Sequence, residues 1–340
     1  MTMDTTASRP EGLKAIDREM ARQHADALAS FRNTGAMAER AAASLKRTGR
    51  LLLLGMGGSQ AVGRAVEPLY RRLGIDAIAL PLSEQLGAPL ALDGRTIFVT
   101  SQSGESAEVL RWFGETGGNE DTFGFTLEGG SFLARTAPCL VGHGGTEQAF
   151  AATRSLTVSF ALHLAILAAL GEDAASAVGI LETPQEPSID AALAMLRDVR
   201  SVVTSGRRLQ GLAEAIALGF TELSRLPCFS LEGGQLRHGP MEMLSPEVGV
   251  VLFRGDDATA DLVTAMATSV VEAGARLVMF DASGRPPVEG AATIAFSPLT
   301  GLAAIFAMLP TAQRLMIAFA AERVTDAGTP VRTTKITRSE

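Results

Sequence analysis

The sequence predicts an α/β fold, with mostly parallel sheets covered by helices on both faces. Three observations carry this. Short apolar runs, residues 51–54 and 96–100, end in Gly- or Ser-rich loops, as strands buried on both faces do. Helical spacing follows each of those loops. The same strand–loop–helix pattern then restarts beyond Pro184 and Pro187. At 340 residues the chain has room for about two domains. It is 46% hydrophobic but only 5% aromatic, so its cores must be aliphatic and Ala-rich.

Residues 11–48 read as one charged helix, with Met20, Ala27, Leu28, Phe31 and Leu45 on the packing face. Residues 51–54 form a strand that runs into Gly55, Gly57, Gly58 and Ser59. A helix over 60–73 follows and is capped at Gly74. Strands are expected at 75–82 and 96–100. The second of these runs straight into Ser101-Gln102-Ser103-Gly104-Glu105-Ser106 and a helix over 107–113. Residues 123–127 and 140–142 are short strands, and 151–170 a long apolar helix. Pro184 and Pro187 mark a linker. Beyond it come a strand at 201–204, the turn Ser205-Gly206-Arg207, and a helix over 209–226 stopped by Pro227. Further strands are expected at 228–231, 249–253 and 276–280. Gly57 and Gly206 lie 149 positions apart, and Thr100 and Phe253 153 apart, which points to an internal duplication. The expected division is a helical segment 1–48, a first domain 49–180, a linker 181–190, a second domain 191–325 and a tail 326–340.

Thirty Lys and Arg against 37 Asp and Glu leave a formal charge of −7. That is a poor match for a phosphate backbone, so no nucleic-acid partner is expected. Cys139 and Cys228 cannot build a disulfide framework. His24, His143, His163 and His238 are scattered, and Cys139 and His143 have no second ligand pair, so neither metal nor cofactor is expected. Residues 158–170 and 302–310 fall short of the ~20 residues of a membrane span. Residues 1–10 are polar and show no secretory pattern. The expectation is a cytoplasmic protein that takes a small molecule.

Three motifs bear chemistry. The Ser101–Ser106 loop puts three hydroxyls between a buried strand and a helix N-terminus, where backbone N–H groups and serine donors hold an anion without a lysine. A Ser-rich turn that only caps the helix is the competing reading. Gly57, Gly58 and Ser59 let backbone approach a sugar. They do not form a dinucleotide fingerprint, because the third Gly falls at Gln60, even though Asp76 stands about 20 residues on. His238, between Arg237 and Gly239-Pro240, is an imidazole on a loop that can move protons near neutrality. Glu222 follows Glu214 and Leu218 at steps of four. It is either a solvated position or, if it faces inward, a base with a raised pKa.

These residues resemble the sugar isomerase (SIS) family, and most of all the isomerase part of glucosamine-6-phosphate synthase, the aminosugar-phosphate deaminases and the fructosamine-phosphate deglycases. Ser101-Gln102-Ser103-Gly104-Glu105-Ser106 is similar to the family's phosphate loop. The segment from Gly234 to Pro240 is similar to its His-Gly-Pro loop. The tail, with Pro330, Arg332, Lys335 and Thr337, is similar to the segment whose Lys reaches the sugar. The resemblance implies two tandem SIS domains of flavodoxin-like three-layer form and a homodimer with shared active sites. It implies that Ser101, Gln102, Ser103 and Ser106 bind the sugar phosphate, and that Gly57, Gly58 and Ser59 line the sugar. Glu147 and Thr153 would contact the sugar. Glu222 would move the C1/C2 proton, His238 would open the ring, often from the neighbouring subunit, and Lys335 would meet the open chain.

The sequence also departs from the family. Gly219 stands where the synthase has a proton-relay Lys, and Ala152-Thr153-Arg154 replaces Ser-Thr-Lys. No glutaminase domain is recognised, and residue 2 is Thr rather than Cys. The implied activity is therefore phosphosugar isomerisation through an enediol or enolamine, with deamination or deglycation as the alternative. A non-catalytic phosphosugar sensor is the rival, although residues 1–48 show no helix pair of the kind sensors use to bind DNA.

Overall fold

The computed structural model describes residues 9–337. Thr2 and the rest of residues 1–8 lie outside the described residues, as do 338–340. The first half runs α1 (Glu11–Asn33), α2 (Gly35–Thr48), β1 (Arg50–Gly55), α3 (Gly58–Arg72), β2 (Asp76–Pro81), α4 (Leu82–Gly87), β3 (Thr96–Thr100), α5 (Ala107–Thr116), β4 (Thr122–Thr126), α6 (Phe132–Thr136), β5 (Cys139–Val141) and α7 (Arg154–Ala169). The second half runs α8 (Ala175–Glu182), α9 (Asp190–Met195), β6 (Ser201–Ser205), α10 (Gln210–Ser224), β7 (Cys228–Ser230), α11 (Gly233–Arg237), a 3-10 turn (Pro240–Met243), β8 (Val248–Gly255), α12 (Ala260–Glu272), β9 (Arg276–Ala282), β10 (Ala292–Ala295) and α13 (Gly301–Ala321).

Each half holds a five-stranded, all-parallel sheet. The orders are β2-β1-β3-β4-β5 and β7-β6-β8-β9-β10, so the strands of the two halves correspond one to one. Helices α3, α7, α10 and α13 pack on one another between the sheets. Phe98 and Phe125 of the first sheet and Phe253 and Phe280 of the second point into that layer and share one core with it. Each fully buried Phe contributes about 1.5–3 kcal/mol. The outer faces have cores of their own, Trp112 with Leu52 and Val99 on one side and Met266 with Leu252 and Leu277 on the other. Helices α3 and α10 cross so closely that a Cβ on Gly211 would overlap the backbone of Ala65.

Two expectations need correction. Residues 11–48 are two helices, broken at Thr34, rather than one. The pair that the sequence did not reveal is not a free module, since both helices lie against α7. The stretch 302–310 is part of α13, which at 21 residues is long and apolar enough to span a membrane by composition. It is a mostly buried core helix here, with Pro310 inside it.

Candidate functional site

A cavity of about 350 Å³ opens at the carboxyl ends of β1 and β3, where the strand order reverses. Open α/β sheets bind ligands at such points. Gly57 and Gly58 form one wall. Gly57 has φ 52°, which favours glycine, and a Cβ on Gly58 would stand 3.1 Å from Leu156. Ser59 lies beside them in the first turn of α3. Asp76 sits at the opposite, amino end of β2, exposed and paired with Arg50 (3.6 Å) and Arg95 (3.8 Å), so it cannot reach a ribose at this turn.

The serine loop forms the facing wall. Ser101 Oγ accepts from Gly104 N (3.2 Å) and Ser103 Oγ from Glu105 N (3.2 Å), which leaves both hydroxyl protons free to donate. Ser106 caps α5 without a side-chain bond to it. The turn needs Gly104, at φ 64°, because a Cβ there would overlap Ser131 Oγ. Gln102 is less free than expected. Its side-chain carbonyl accepts from Glu147 N (3.2 Å), which ties the serine loop to the next segment.

The tail crosses the cavity from Thr333 to Thr337. Thr337 O accepts from Ala107 N at the start of α5 (3.0 Å). Lys335 Nζ donates to Glu147 Oε2 (3.0 Å) and to Phe150 O (3.3 Å). Glu147 and Thr153, expected to contact the sugar, are fully buried and do not line the cavity. Glu147 accepts from Thr153 N and Oγ1 (3.0 Å each) and from Ser155 Oγ (2.6 Å). Burial pushes its pKa up, but the Lys335 ammonium and these donors outweigh that and leave it below the usual carboxylate range.

Glu222 faces inward. It lines the cavity with Leu218, one turn earlier on α10. Burial raises its pKa to about 7. Lys335 opposes that rise and the Glu147 charge adds to it. Sequence reasoning missed Ser155 and Ser159, one turn apart on α7, and Glu108 in the first turn of α5, all of which line the cavity. Small hydroxyls at i and i+4 on an otherwise apolar helix were the available signal for the first two.

His238 stands apart. It follows the end of α11, is exposed, and does not line the cavity. Within one chain the structure brings together the serine loop, the glycine turn, Glu222 and Lys335, but not His238. Among the described residues no group of three His, Cys, Asp or Glu could hold a metal ion. Cys139, whose pKa burial pushes up to about 12, and Cys228 are free thiols.

The family model for the SIS domain matches residues 195–321. The glutamine–fructose-6-phosphate aminotransferase (isomerizing) of Aeropyrum pernix is 30% identical over 242 residues, 64% of this chain and 39% of that protein. Its counterpart from Gluconobacter oxydans is 26% identical over 227 residues, 59% of this chain and 36% of that protein. The matches thus span under half the length of these relatives. Among solved structures, the C-terminal domain of glucosamine-fructose-6-phosphate aminotransferase from Francisella tularensis superimposes with TM-score 0.80 at 18% identity, over 97% of this chain and all of that one. The tagatose-6-phosphate ketose/aldose isomerase of Escherichia coli gives 0.79 at 19%, over 97% and 99%. At these identities the structural likeness is one of fold. Residues 195–321 are an SIS domain, and the chain is homologous to the isomerase part of the aminotransferases.

Proposed function

We propose that the chain is a phosphosugar isomerase-type enzyme with two SIS domains, in which the first half carries the site. The serine loop and the start of α5 hold the phosphate of a sugar or amino-sugar 6-phosphate. Glu222 moves a proton between C1 and C2 through an enediol or enolamine. The observation that carries this reading is Glu222 itself, a carboxylate raised to about 7 in the same cavity as the three serines of the loop and a lysine. A base with a pKa near the working pH both takes and returns a carbon-bound proton well. Phosphate binding remote from the reacting carbons positions them. His238 acts from a second copy of the chain in a homodimer, because its own copy holds it away from the cavity.

The glucosamine-6-phosphate deaminase of Thermotoga maritima has the same fold (TM-score 0.74, 20% identity, 95% of this chain and 99% of that one), which keeps amine release in view as the alternative outcome. The test is incubation in D₂O with hexose, hexosamine and fructosamine 6-phosphates. Deuterium at C1 or C2 supports the reading, and ammonia or amino acid release assigns the deaminase or deglycase form. Tight binding with no exchange and no release on any of them overturns it in favour of a sensor.

A further inference from the structure

Helix α1 lies outside the cavity, yet two of its carboxylates reach toward the segment that carries Glu147. Arg154, the first residue of α7, is fully buried. Its Nε donates to Glu19 Oε2 (2.6 Å) and its Nη1 to Asp26 Oδ2 (3.2 Å), both on α1. The same guanidinium donates to His143 O (3.3 Å) and Gly145 O (2.7 Å). The other oxygen of Glu19 accepts from Gln148 N (2.8 Å). The backbone is therefore pinned at 143, 145 and 148, and Glu147 sits between the last two pins. Gly144 lies so close to α1 that a Cβ on it would overlap Asp26 Oδ2. A planar guanidinium with donors in fixed directions suits this task, whereas an ammonium does not reproduce it.

Resting on the proposed function, we infer that Glu19 and Arg154 are positioning residues: through the loop they pin, they hold the Glu147–Lys335 pair at the cavity wall and so fix the ammonium that shares the cavity with Glu222. The chain of contacts is continuous, from Glu19 to Arg154 and Gln148, from those to Glu147, and from Glu147 to Lys335. The charged groups acting on Glu222 are Lys335, from the tail, and Glu147, from the loop. Glu108 is the other carboxylate on the cavity wall. If the loop shifts, Glu147 no longer seats Lys335, and the cation leaves the carboxylate it stabilises.

The experiment follows the Glu222 side-chain carboxyl by ¹³C NMR in the full chain labelled at glutamate, with the resonance assigned by its loss in Glu222→Gln. This readout needs no substrate, so it stands whether or not the proposed turnover is found. Lys335→Met should raise the Glu222 midpoint by about half a pH unit or more. Glu19→Gln and Arg154→Lys should shift it the same way, and Glu19→Gln should add nothing once Lys335 is Met. Arg254→Lys is the control for simple destabilisation. Arg254 is equally buried, but it pairs with Asp281 in the second sheet (2.7 Å), so it should lower the melting temperature without moving Glu222. If Glu19→Gln does not fold, Arg154→Lys and Asp26→Asn carry the test. A wild-type Glu222 midpoint in the folded variants, or additivity with Lys335→Met, overturns the inference.

Discussion

Glu222 sets two opposing pH dependences. In the proposed mechanism its carboxylate is the working form, so turnover should rise about tenfold per pH unit toward pH 7 and then level off. Stability runs the other way. The folded pKa is raised above the unfolded value, so the folded state binds the proton more tightly. The protein is then most stable below the usual carboxylate pKa and loses stability as pH rises through about 7. Glu222→Gln removes that penalty. It should lower turnover by about 10²–10⁴-fold. It should also raise stability at pH 8 by up to about 3 kcal/mol relative to the parent, read by urea unfolding at pH 5 and pH 8. Equal stability differences at the two pH values would show that Glu222 is not held in a desolvated place. The serines make a separate prediction. Ser101→Ala and Ser103→Ala each delete one free donor, so each should weaken binding of a sugar 6-phosphate by about tenfold and leave the Glu222 titration unmoved.

At the scale of elements, much of the site was legible because its parts are continuous in sequence. The Ser101–Ser106 loop follows the buried strand β3, and the glycine turn follows the buried strand β1. Local pattern suffices for both. Glu222 was legible only as a choice between two faces. Packing against α13 decided it, since Gly219 abuts Met316 and this turns the Leu218–Glu222 stripe toward the cavity. The break at Thr34 was missed because both flanking helices keep the helical spacing, although Asn33-Thr34-Gly35 carries a turn signal at that point. Glu19 and Arg154 were not legible as a pair at all, since they are 135 residues apart and their meeting is purely tertiary. The same packing bears on the departure at Gly219. A Cβ there would overlap Met316 Sδ, so Gly219→Lys should destabilise the protein by about 1–3 kcal/mol and should not restore a relay lysine. Thermal melts of Gly219→Lys with and without Met316→Ala check this. An unchanged melting temperature in the single variant would contradict the close approach.

Across the described residues, the two sheets have the same strand order, yet only one carries a serine cradle. The crevice after β1 and β3 has Ser101, Ser103 and Gly58. Its counterpart after β6 and β8 has Arg207, paired with Glu232 (2.8 Å), and the acidic turn Asp256-Asp257, whose Asp257 caps Thr259 N (2.7 Å). The serine donors of the first crevice suit an anion, and the acidic turn of the second does not. The second half instead contributes Glu222 to the first half's cavity across the α3–α10 contact, and it displays His238 outward just past the end of α11. The proposed phosphate grip and base thus share one chain's cavity without its own His238, and a second copy is the source the proposed mechanism requires. That arrangement has a specific consequence for mixtures. Glu222→Gln and His238→Ala should each be nearly inactive alone. After subunit exchange, half of the dimers are mixed. In a mixed dimer, the site whose cavity belongs to the His238→Ala chain receives Glu222 from that chain and His238 from the other, while the second site lacks both. Activity should therefore return to about a quarter of the parent's value at equal mixing, as two-fold symmetry requires. Recovery that stays at the level of the separate variants, with exchange confirmed by mass spectrometry of labelled subunits, would mean that His238 does not serve its partner's cavity.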